Sequence, residues 1–94
     1  MKIPKRFNLL GQEYTVDVVL PQDWNRDDCV GIFTPSSRKI QLLFNKYRPA
    51  LEQAFMHELV HAVFNCVGRD ELYKDEALVD LVAGLTHQAL TTGK

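Results

Sequence analysis

Apolar and polar positions alternate in the first half of the chain and recur at helical spacing in the second. Residues 7–10 and 13–20 flank Gly11-Gln12, a two-residue spacing that suits a tight hairpin. In the second of these segments Tyr14, Val16 and Val18 fall on one face, and Glu13, Thr15 and Asp17 on the other. Pro21 ends it. Residues 22–29 are polar and turn-rich, which predicts a loop with room for one helical turn. Residues 30–34 and 39–44 bracket Pro35-Ser36-Ser37-Arg38 as a second hairpin. The pattern predicts a small, mostly antiparallel, twisted sheet of three or four strands.

From Pro49 onward the period lengthens. Proline is well placed as the first residue of a helix, where its missing N–H costs nothing. That helix is expected to run to about Val67, with Gly68 as its stop. A charged link, 69–74, leads to a last helix over 75–90, with Asp75 as N-cap. Sheet first and two helices second is an α+β layout. With 94 residues there is room for one domain, 1–94.

Composition narrows the function classes. The chain is 46% hydrophobic and 24% charged, as in ordinary globular proteins. Its net charge of −1 offers no basic field for nucleic acid or an anionic membrane surface. No apolar stretch approaches the roughly 18 residues of a membrane span, and no apolar region follows the basic N-terminus as in a signal peptide. Cys29 and Cys66 fit neither a CxxC knuckle nor a disulfide scaffold, so both are expected reduced, Cys66 in the core. A cytoplasmic protein is expected.

The chemistry is concentrated in His57-Glu58-Leu59-Val60-His61, an HExxH motif. In a helix, positions i and i+4 lie one turn apart on one face, so two imidazoles can reach one zinc ion. Glu58 projects beside them, where a carboxylate can take a proton from a water held there. A chance match in a chain of this length is on the order of one in several hundred. The surrounding helix is apolar almost all round and expected to be largely buried. Its polar positions are Glu52, Gln53, His57, Glu58, His61 and Asn65, with 53, 57, 61 and 65 forming one stripe. Burying two histidines and a glutamate without partners would cost several kcal/mol.

A catalytic zinc site usually has a third protein ligand. Among the downstream acids, Glu76 and Asp80 stand at i and i+4 in an otherwise apolar stretch. Like charges at that spacing repel. Glu76 as ligand and Asp80 accepting the free N–H of a ligating histidine would satisfy both. Ala83 and Gly84, one turn on, would let the two helices approach closely. His87 shares that side but lies three turns from Glu76, about 16 Å along the axis, too far to be a ligand. It is expected to be a surface or capping histidine.

In HELVH and the downstream EALVD the chain resembles the gluzincin metallopeptidases, most closely the minigluzincins and the small metallopeptidase-like proteins of phages and prophages. The resemblance covers most of the chain, from Ile3-Pro4, Phe7 and Leu10-Gly11 through Asp80. It implies a minimal zincin-like fold, with a small twisted sheet on an active-site helix and a glutamate helix. It implies Zn2+ on His57, His61 and Glu76, catalysis by Glu58 and support from Asp80. It also implies a peptide or protein substrate paired with an edge strand, here the 30–34 or the 39–44 segment. Larger gluzincins bring a further His, Tyr or Arg from a second subdomain to the oxyanion. Here Tyr47, Tyr73 or His87 would have to substitute, Tyr73 being the first choice. The function expected is zinc-dependent peptide hydrolysis. The alternative is a catalytically latent zinc domain that acts as a protein-interaction module.

Overall fold

The computed structural model describes residues 1–94. Four strands, β1 (Arg6–Leu9), β2 (Gln12–Val19), β3 (Gly31–Thr34) and β4 (Lys39–Leu43), precede three helices. The helices are α1 (Arg48–Cys66), α2 (Asp70–Tyr73) and α3 (Glu76–Thr92). The α+β layout and the mostly antiparallel sheet are as the pattern predicts, with one addition. The strand order is β1-β2-β4-β3, and β2 and β4 run parallel, Val16 opposite Ile40 and Val18 opposite Leu42. The chain leaves β2, forms β3 at the edge, and returns as β4 into the gap. The 39–44 segment is therefore an interior strand, paired on both sides. Of the two segments proposed to receive a peptide, only 30–34 is an edge.

The first hairpin turns one residue earlier than the Gly11-Gln12 spacing suggests. Leu9 pairs with Gln12, so Leu10 and Gly11 make the turn, with φ of 50° and 79°. Two positive φ values in a two-residue loop match the right-handed twist of the flanking strands. The polar 22–29 loop is entered through one short 3-10 turn, Pro21–Asp23.

One face of the sheet carries Tyr14, Val16, Phe33, Ile40 and Leu42, all buried. Against them lie Leu51, Phe55, Met56, Val60 and Ala62 of α1. Val18 shares the alternation of Tyr14 and Val16 but is half exposed, so the core ends there. Helix α1 has Pro49 in its first turn, and Gly68 beyond its end takes a φ of 72°, where a side chain would be strained. It is buried between residues 51 and 62, whereas Val63 and Val67 are exposed, so burial along it is narrower than its composition predicts. Cys66 is half-buried rather than core, and both cysteines are free.

The charged link contains the four-residue helix α2. Asp75 caps α3 by accepting the Leu78 N–H at 3.1 Å. Antiparallel packing brings α3 against α1, as the polar contacts trace: His61 meets Glu76, His57 meets Asp80, and Glu52 meets His87. Ala83 is fully buried, and even a methyl group at Gly84 would only reach ordinary contact, 3.7 Å from Gln53 Nε2, so Ala83 is where a small residue matters.

Candidate metal centre

Three ligand atoms converge where α1 and α3 meet. His57 Nε2 lies 3.2 Å from one Glu76 oxygen and His61 Nε2 lies 3.0 Å from the other. Ligand atoms from the three residues all fall within 4.8 Å of one another. Bonds of about 2.0–2.1 Å to a tetrahedral zinc would set such atoms about 3.3 Å apart. This group can hold a metal ion.

The surroundings fit that use. His57 Nδ1 faces Asp80 at 2.7 Å. A neutral imidazole has one N–H to give, so donating it to Asp80 leaves the Nε2 lone pair against the Glu76 carboxylate. A cation between them relieves that opposition. Asp80 thus fixes the ring and its tautomer, as such carboxylates do beside metal-ligating histidines. His61 is buried, and burial lowers its proton affinity, against the opposing pull of Glu76. A ring kept neutral is one ready to coordinate. His61 Nδ1 is buried without a well-formed hydrogen bond; the Tyr73 backbone comes nearest to supplying one.

Glu58 points the other way, toward the sheet. Its carboxyl is buried and raised to about 7, chiefly by loss of water, with Glu76 adding to the rise and His57 opposing it. The Phe33 backbone N–H also opposes it. The space for that carboxyl comes from Gly31 at the start of β3. A methyl group there would sit 3.1 Å from Glu58 Cγ and 3.3 Å from one carboxyl oxygen.

These groups open on a cleft of about 600 Å³. Its floor is α1, from Ala50, Gln53 and Ala54 to His57, Glu58 and His61. Cys29, Val30 and Gly31 form one wall, and Glu76 and Asp80 the other. No lysine or arginine lines it. Burial and the neighbouring Asp28 push the Cys29 thiol up, which keeps it a neutral wall.

Of the polar stripe on α1, Gln53, His57 and His61 face the cleft and Asn65 is exposed outside it. Tyr73 stands behind the site, its ring 4.9 Å from that of His61 and 6.5 Å from that of Phe33. Burial, and then the charges of Glu58 and Glu76, raise its hydroxyl. Tyr47 is exposed at the start of α1. His87 is neither surface nor cap: its Nε2 lies 2.9 Å from the buried Glu52 carboxylate, 35 residues away in sequence. The stripe at 76, 80 and 87 was a signal for that placement, but its partner lies on another helix. No helix is long and apolar enough to cross a membrane. No protein-family model, curated protein or solved structure matches the chain.

Proposed function

We propose that the protein is a zinc metallopeptidase of the minigluzincin kind. The observation that carries this reading is the meeting of two unlike arrangements at one cleft. His57, His61 and Glu76 turn their ligand atoms to a common point, and Glu58, with no part in that set, holds a buried carboxyl beside it. Two imidazoles and a carboxylate suit zinc with a coordination position left open. The ion would polarise a peptide carbonyl and acidify a water.

The chain's own residues do the rest. Glu58, raised toward neutrality by burial, takes the proton of the attacking water and returns it to the leaving amine. Asp80 holds His57 in orientation. Tyr73, its ring packed against His61 and its hydroxyl kept protonated, is the candidate donor to an oxyanion. Strand β3, the edge beside the cleft, offers unpaired backbone groups to an extended peptide. A cleft without a cation has nothing to hold a terminal carboxylate, which favours cleavage within a chain over removal of a C-terminal residue.

The test is metal content of wild type, Glu76→Gln and Glu58→Ala, with peptide-library cleavage on the same samples. One zinc per chain, weakened in Glu76→Gln and retained in Glu58→Ala, with cleavage lost in Glu58→Ala, is the expected result. Zinc without cleavage would replace the enzyme with a zinc-dependent interaction module. Failure to take up zinc on reconstitution would sink the metal reading.

A further inference from the structure

Helix α3 carries the third ligand, yet little of it is anchored in the core. Of its 17 residues only Val79 and Ala83 are buried, and Leu81, Leu85 and Leu90 face solvent. Contacts through residues as small as Ala83 and Gly84 hold two helices together but give little steric resistance to sliding or pivoting. Val79 and Ala83 seat the helix on the core, and the polar contacts at its two ends add the directional constraint on register. At the metal end, the Glu76 and Asp80 side chains are 67% and 73% exposed, so their attraction to the histidines is screened by water. At the other end, the Glu52 and His87 side chains are 7% and 15% exposed and meet at 2.9 Å. Arg48 Nε flanks the same carboxylate at 3.4 Å. Hydrogen bonding to His87 holds the Glu52 carboxyl below its usual range.

We propose that the Glu52–His87 pair is a positioning device: it fixes the axial register of α3 on α1 and so sets the affinity of the His57/His61/Glu76 group for its metal. This rests on the metal reading above. Buried polar contacts are well suited to selecting one register among several of similar packing. The lever is direct, because α3 is one continuous helix and His87 lies on the same face as Glu76, three turns away. A shift of α3 by half a turn, about 2.7 Å, is nearly as large as the 3.2 and 3.0 Å separations of Glu76 from the two imidazoles, so Glu76 would have to leave its rotamer to follow. Fixing the third ligand before the ion arrives removes an ordering cost from binding.

The experiment measures zinc dissociation constants by competition with a chromophoric chelator. The proteins are wild type, His87→Ala, His87→Gln and, as a control, Val16→Ala. His87→Ala is expected to weaken zinc by about tenfold or more, as loss of supporting contacts does at metal sites. His87→Gln, whose amide N–H can still reach Glu52, is expected to restore most of that loss. Val16→Ala removes buried volume from β2, away from both helices' polar contacts, and is expected to lower stability while leaving zinc affinity near wild type. Where His87→Ala proves unfolded, His87→Leu fills the same space without the hydrogen bond and takes its place. Wild-type affinity in the Ala or Leu variant, or an equal loss in Val16→Ala, overturns this inference while leaving the metal centre standing. A wild-type protein that binds no zinc overturns both.

Discussion

Glu58 is held in the fold at a cost, and the cost has a sign that can be measured. A carboxyl raised from 4.5 to about 7 in the folded chain binds its proton more tightly there than in the unfolded chain. Between those values the folded state carries more protons, so stability is fully present below about pH 4.5 and is lost as pH rises through 7. The full effect is up to about 3 kcal/mol. His61 works the other way: its proton affinity is lowered, so its contribution is lost as pH falls below 6.5. The two oppose each other up to neutral pH, and from pH 6.5 to 8 the Glu58 effect is the larger. Chelator-treated protein should therefore melt at a lower temperature at pH 8 than at pH 6.5. Glu58→Gln, which cannot ionise, should flatten that slope and raise the melting temperature at pH 8. An unchanged slope in Glu58→Gln would mean that the carboxyl does not stay buried when it ionises.

At the scale of elements, the first hairpin holds a misfit that can be repaired. Leu10 is 80% exposed and sits at a φ of 50°, a left-handed conformation in which its branched chain is strained. Asparagine followed by glycine is the favoured pair for this turn. Leu10→Asn should stabilise the protein by about 0.5–1 kcal/mol, a rise of ~2–8 °C in melting temperature for a domain this small. Differential scanning calorimetry decides it, and no rise would place Leu10 outside the strained region in solution. The helices of this fold were legible because their signals are local: Pro49 and Gly68 bound one, and Asp75 caps the other. The His57, His61, Glu76 and Asp80 cluster was legible for the same reason, since i, i+4 spacing on each helix makes each half of the site. What could not be read is pairing between elements that no ligand chemistry announces. Val16 opposite Ile40 in a parallel ladder, and Glu52 opposite His87 across two helices, depend on which segments the core brings together. Helix α2, only four residues long and charged, has no periodicity to declare it.

At the scale of the whole molecule, fifteen of 94 residues are buried, so the core is small and each further constraint weighs heavily. The candidate metal centre joins α1, which lies on the sheet, to α3, which contributes two buried residues. An ion that binds the folded chain alone stabilises it by about 2.7 kcal/mol at a hundredfold excess over its dissociation constant. For a domain of this size, each kcal/mol is worth about 4–8 °C, so zinc should raise the melting temperature by roughly 10–20 °C and a chelator should reverse the rise. Glu76→Gln should lose most of that shift while melting close to wild type without metal, because its side chain is largely exposed. Magnesium and calcium, which prefer sites built from oxygen, should give little. The cooperativity of melting then separates two roles for the ion. If zinc tightens α3 onto a body that is already folded, the metal-free protein should melt in two steps, α3 before the sheet and α1. If α3 and the body fold as one unit, a single transition should simply move upward with zinc, and the site would stabilise the molecule as a whole.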